Sequence, residues 1–285
     1  MRSAMNKTVT AGFSQVLSIP ASSIRFLLSI LFLVMLFGAI TVPLAYADAT
    51  GTASAGNDET LERAFQLKDE FRDEEALEAF KEVLERDETH YEALWNIVML
   101  HTSIGYRQDR SRDEEAHYDQ AYQYGQRLLE AHPDSAGTHF AYAAAVGRKA
   151  LHAGARDRIR MSTEIREHAE KAVELDPGYS RAWNVLGNWH HRAANLSRME
   201  RLAANALFGG APEGASNEAA REAFQKAIEL DPQFILYYHD KAEFYLTIGE
   251  DDHARRILEE GLEKEITTSD DERWIENMRE MLDDL

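Results

Sequence analysis

Cysteine is absent from the 285 residues, which excludes disulfides, thiolate metal sites and cysteine nucleophiles. Proline occurs only six times, and no alternating strand pattern survives for more than a few residues, so helix is the organising element. The first 47 residues contain no acid and only Arg2, Lys7 and Arg25 as charges. Basic residues are scarce elsewhere: the whole chain has 31 Lys and Arg against 50 Asp and Glu, a net charge of −19. Lysine is rarer still, with eight against 23 arginines. This balance argues against nucleic-acid binding, which needs cations to neutralise phosphates. It also argues against a basic patch on anionic lipid. It fits either a well-solvated surface or adaptation to high salt, where self-repulsion is screened.

From Phe26 to Ala47 there is no charge, and the densely apolar run ends in Pro43 and then Ala45-Tyr46-Ala47 before Asp48. A small-x-small cleavage pattern after such a run predicts a secretory signal peptide over residues 1–47. The run is also just long enough to span a bilayer, so an uncleaved anchor over residues 26–47 is the alternative. With no cysteine after the run, a lipid-modified N-terminus is excluded. The remainder is expected in a bacterial periplasm or outside the cell, touching a membrane only if the segment stays uncleaved. Residues 48–56, "DATGTASAG", read as a disordered linker, and 57–285 as the folded domain.

What is present is a repeating stripe. Ala220, Phe224, Ala227 and Pro232 alternate small and large apolar residues on one helix face, which Asp231-Pro232 then ends. The frame recurs as Ile165, Ala169, Ala172, Pro177, more loosely as Ala121, Gly125, Leu128, Pro133, and as Ala76, Phe80, Val83. Ahead of the best copy stand Trp183, Leu186, Gly187 and His190, spaced as the first helix of such a repeat. The chain resembles a tetratricopeptide-repeat protein. The resemblance implies an all-α, right-handed solenoid of about five helix pairs, with repeats near 57–90, 91–135, 136–179, 180–234 and 235–268. Repeats two to four carry insertions, expected as lengthened helices or as loops on one rim. The last segment, with Trp274, Ile275, Met278 and Leu282 in one stripe and Ser269 with Glu272 as a capping box, is expected to cap the stack.

The segment "LGNWHHRAANLSRMERLAANALFGG" is more specific. Leu186, Gly187, Trp189, Asn195, Leu196, Ser197, Glu200, Arg201, Leu202, Ala203, Ala204, Leu207, Phe208 and Gly209 resemble the signature of the regulator of microtubule dynamics family. Asn188, Met199 and Ala211-Pro212 depart from it. The resemblance implies an adaptor without a catalytic site.

Solenoids of this kind bind partners along the groove lined by the first helix of each repeat. Counting on the repeat frame places Trp95, Met99, Phe140, Arg148, Arg181, Asn184, Asn188, His191, Arg192, His239 and Glu243 there. Asn184 and Asn188, four apart, could hold the backbone of an extended peptide. Arg148, Arg181 and Arg192 could receive a carboxylate or could pair with neighbouring glutamates. Trp183, Trp189 and Phe208 read as core. His190 and His191 diverge on their helix and no acid completes a ligand set beside them or His239, so no metal is expected. Gly209 and Gly214 lack the strand and lysine of a phosphate loop, and no nucleophile elbow or zinc-protease motif occurs. The reading is a non-catalytic, cofactor-free, exported adaptor that binds an extended peptide or helix of an envelope protein. A lipid or small apolar ligand held among the alanine-rich first helices is the alternative; binding through the acidic convex face is a third.

Overall fold

The apolar stripes of the repeating frame pack against partner helices, with Ile165 the half-buried member of its copy. Ala76, Phe80 and Val83, then Ala220, Phe224 and Ala227, are all 0% exposed. The computed structural model describes residues 49–208 and 214–285. The leader assigned to residues 1–47 and the glycine-rich turn at 209–213 lie outside them.

Among the described residues the chain forms α-helices joined by short turns. The first pair is α1 (Ala49–Asp69) with α2 (Asp73–Leu84), and the second α3 (Tyr91–Tyr106) with α4 (Ser111–Ala131). Next come α5 (Ala136–Ala150) with α6 (Ala155–Leu175), and α7 (Ser180–Ala194) with α9 (Asn217–Leu230). Between α7 and α9 the insertion forms a helix of its own, α8 (Arg198–Phe208), which packs on α6. The fifth pair is α10 (Ile235–Thr247) with α11 (Asp251–Gly261), followed by α12 (Asp271–Asp283). The pairs stack in chain order, and the first helices α3, α5, α7 and α10 lie side by side. The all-α repeat solenoid is therefore as the periodicity required.

Two expectations need correction. Residues 49–56, expected as linker, lie within α1: no proline interrupts them, and the alanines favour helix. Ser269 and Glu272 make no capping box, because Ser269 donates its hydroxyl to Asp73 at 2.5 Å. The backbone N–H groups of Thr267 and Thr268 instead donate to Asp271 Oδ2, each at 2.8 Å.

Local chemistry sets the helix limits. Three acids, Asp73, Glu74 and Glu75, sit in the first turn of α2, where the helix dipole favours them. Ser216 caps α9 by accepting from the Ala219 N–H at 3.1 Å, and Pro232 follows its end. At the end of α1 the Arg72 N–H reaches Leu67 O and the Phe71 N–H reaches Lys68 O, at 2.9 and 3.0 Å. This closing turn puts Phe71 at φ 59, the place Gly249 takes after α10 at φ 75.

Candidate functional site

The first-helix face divides into three parts. Near the starts of α3 and α7, Trp95 is flanked by two cations: Lys68 Nζ lies 5.7 Å and the Arg181 guanidinium 5.6 Å from its ring centroid. Arg181 also stacks on Phe234 at 4.9 Å, and Trp95 lies against Phe140 at 6.4 Å. Lys68 donates to Asn96 Oδ1 at 2.8 Å, and the Trp95 indole N–H to Gly137 O at 3.1 Å. Burial, and then the nearby Arg181, hold the Lys68 pKa below its ordinary value. Among the described residues no carboxylate forms an ion pair with Lys68 or Arg181. Asp69 and Asp73 act on Lys68 from a distance, against the pull of burial and Arg181. Two cations without an ion pair on one aromatic ring can attract an anionic group.

The second part is a largely buried polar network, in which Asn184 Oδ1 has no hydrogen-bond partner among the described residues. Asn184 and Asn188 both donate their amides to Asp240 Oδ2, at 2.7 and 2.6 Å, while His239 Nδ1 lies 3.1 Å from Asp240 Oδ1. Burial opposes the carboxylate charge of Asp240, but His239 and the two amides outweigh it and hold its pKa below the usual value. Asn184 and His239 are buried. The asparagines expected to clamp a peptide backbone are therefore committed to a buried acid inside the protein. Sequence reasoning missed Asp240 because its position on the repeat frame did not mark it as facing the asparagines.

His239, Asp240 and Glu243 bring possible ligand atoms within 4.8 Å of one another. Glu243 thus completes the i, i+4 spacing beside His239 that the sequence reading denied. The donors do not suit an ion, however: Asp240 spends both oxygens on protein hydrogen bonds, and His239 spends Nδ1 on Asp240.

The third part is occupied by the protein itself. Helix α12 packs on α10 and α11, and its start reaches back to the second repeat. Trp274 stacks on Tyr106 at 4.2 Å and lies against His239 at 4.6 Å. Arg273 donates to Tyr106 O at 3.1 Å, and Asn277 donates to the Tyr106 hydroxyl at 3.1 Å. Arg107 joins Asp270 at 2.5 Å and Asp73 at 2.6 Å, and Ser103 donates to Asp270 Oδ2 at 2.5 Å. Burial pushes the Asp270 carboxyl above its ordinary value, against the opposing pull of Ser103 and Arg107. Burial also works against the charge of Arg107, but the two carboxylates outweigh it and raise its pKa.

The other expected groove residues are scattered. Met99 packs on the first core cluster, and Phe140 and His191 are buried, the latter with its edge on Phe244. Arg148 lies over Tyr106 at 5.3 Å. Arg192 is exposed at the far end of α7 from Arg181, about 16 Å away at 1.5 Å of rise per residue, so these arginines do not converge on one carboxylate. Trp189 is core, its N–H donating to Ser162 O at 2.9 Å, while Trp183 is only half-buried; the side chain of Phe208 lies outside what is described.

A family model described as regulator of microtubule dynamics protein 1-3 matches residues 60–285. Regulator of microtubule dynamics protein 3 of Rattus norvegicus is 28% identical over 191 residues, covering 66% of this chain and 40% of that protein. Regulator of microtubule dynamics protein 1 of Bos taurus is 27% identical over 208 residues, covering 68% of this chain and 65% of that protein. The chain thus spans less than half the length of the first of these relatives. Among solved structures, a thermophilic TPR protein of Thermus thermophilus superposes with a TM-score of 0.57 at 19% identity, covering 79% of this chain and 98% of that one. That likeness concerns the fold.

Proposed function

The chain belongs to the regulator of microtubule dynamics protein 1-3 family, and from that premise we propose an exported, non-catalytic adaptor that holds an acidic segment of an envelope partner on its first-helix face. The observation that supports this reading is that Lys68 and Arg181, neither of them in an ion pair among the described residues, both lie by the Trp95 ring, at 5.7 and 5.6 Å from its centroid. Such a site takes a carboxylate through the guanidinium fork while an apolar neighbour of that carboxylate rests on Trp95 or Phe234. Export rests on the sequence of residues 1–47, and an exported protein does not meet microtubules, so that part of the relatives' names is not carried over.

A lipid ligand has less support. Two clefts, of about 250 and 390 Å³, are walled mainly by charged and polar side chains, among them Glu74, Arg107 and Glu272 in one and Asp119, Lys149 and Arg160 in the other. An apolar chain gains little there.

The test is recovery of partners from an envelope extract by the unmodified chain and by the double variant Lys68→Glu, Arg181→Glu. Recovery should fall at least tenfold with the fold intact by circular dichroism; unchanged recovery sinks the reading. Sequencing the N-terminus of the mature protein should begin at Asp48, and a start at Met1 in the membrane fraction would replace cleavage by anchoring.

A further inference from the structure

We propose that the face of α3 and α10 covered by α12 is a binding surface for an acid-headed amphipathic helix of a partner, with α12 as its tethered resident. The inference deepens the adaptor reading and rests on it for the partner's being a protein.

The contacts themselves define the chemistry. Asp270, Trp274 and Met278 follow at four-residue intervals and so share one side of the segment. Asp270 meets Arg107 and Ser103, Trp274 meets Tyr106 and His239, and Met278 lies beside Gly261 and Tyr238. A helix with a carboxylate, an aromatic four residues on and an apolar residue after four more reproduces every one of these contacts. A cap seated only on the last repeat would need none of Ser103, Tyr106 and Arg107, which belong to the second.

Burial on this helix is concentrated in few side chains, although Ile275, Met281 and Leu282 also pack on the core cluster that holds Trp274 and Met278. Within α12 only Trp274 and Met278 are buried apolar side chains, whereas Ile275, Met281 and Leu282 are half-buried. By comparison α9, a helix of similar length, buries Ala220, Ala223, Phe224, Ala227 and Ile228. The stretch between α11 and α12, residues 262–270, carries no long helix, and its Ile266 is 45% exposed. The Arg107 link sets two carboxylates against one guanidinium, so a visiting carboxylate competes with Asp270 for a donor that exists already.

The experiment uses the full chain and a fluorescein-labelled peptide of residues 267–285 as the probe. Unmodified chain should bind the probe weakly, because α12 holds the site at high effective concentration. The variant Asp270→Asn, Trp274→Ala should bind it at least tenfold more tightly, and a probe carrying Trp274→Ala should lose that gain. No gain in a variant that still melts cooperatively would overturn the inference. So would a concentration-dependent dimer of that variant without tighter probe binding, which would assign the face to a second copy. If the variant does not fold, hydrogen exchange on the unmodified chain decides: α12 amides should exchange at least a hundredfold faster than those of α5, and equal protection would overturn it. Failure of the adaptor reading shows separately, as partner recovery unaffected by Lys68→Glu, Arg181→Glu while the probe behaves as expected.

Discussion

At the scale of single residues, Phe71 holds a conformation that its own side chain disfavours. Its φ of 59 lies in the left-handed region, and its side chain, in a residue 47% exposed, recovers little by burial. Gly249 meets the same demand without a Cβ clash. Replacing Phe71→Gly should therefore raise stability by about 1 kcal/mol in urea unfolding, the lower end of the left-handed penalty; a fall would show that Phe71 makes contacts worth more than its strain. The histidines carry a second residue-scale consequence. Nδ1 of His101 lies 3.0 Å from that of His117, and Nδ1 of His139 lies 2.8 Å from that of His168, so in each pair one ring nitrogen donates to the other. Burial, and then the neighbouring His117, push His101 down to about 3; burial also lowers His117, His168, His190 and His191. The folded state keeps these rings neutral while the unfolded chain takes up protons near its pKa of 6.5. Stability is thus full above about pH 6.5 and lost as pH falls toward the folded values, with His101 contributing about 1.4 kcal/mol per pH unit once well below it. Urea midpoints at pH 7.5 and 5.5 measure this, and a midpoint that does not fall at pH 5.5 would refute it.

At the scale of elements, helix existence and pairing were legible because the stripe repeats. Gly187 shows how tightly pairing is enforced: a Cβ there would meet Phe224 Cδ1 at 2.6 Å. Gly187→Ala should lower stability by about 1–3 kcal/mol, the usual range for overpacking, despite alanine's better helix propensity. A gain in thermal midpoint would show that α7 and α9 can part without loss. Two Ser-x-x-Glu sequences mark the limit of legibility. Ser197 and Glu200 form the reciprocal capping box of α8, with the Ser197 N–H donating to Glu200 at 2.9 Å and the Glu200 N–H to Ser197 at 3.3 Å. Ser269 and Glu272 do not, since Ser269 is drawn to Asp73, far away in sequence. The same local code is kept where nothing else competes and overridden where a buried charge recruits the hydroxyl. For α8 the code was present, yet the insertion was expected only to lengthen helices or form loops.

At the scale of the whole molecule, charge and shape pull in different directions. The surface is strongly acidic, yet the cations Lys68 and Arg181 meet on one ring and Arg107 joins the last helix to the first turn of α2. The sequence by itself determined what depends on local periodicity: helices rather than strands, their pairing in chain order, the buried stripes and the family. Those follow from which residues lie three and four apart, a relation the chain carries unaided. Tertiary structure alone decided which polar groups remain free. Asn184 and Asn188 are consumed by Asp240, more than fifty residues on, and among the described residues Lys68 and Arg181 form no ion pair although acids abound; Lys68 donates to Asn96 instead. Asp270 meets Arg107, so the expected cap on α10 and α11 also reaches the second pair. No spacing along the chain encodes such meetings, because they arise from the accumulated rotation of stacked pairs and from the cost of leaving a buried charge without a partner.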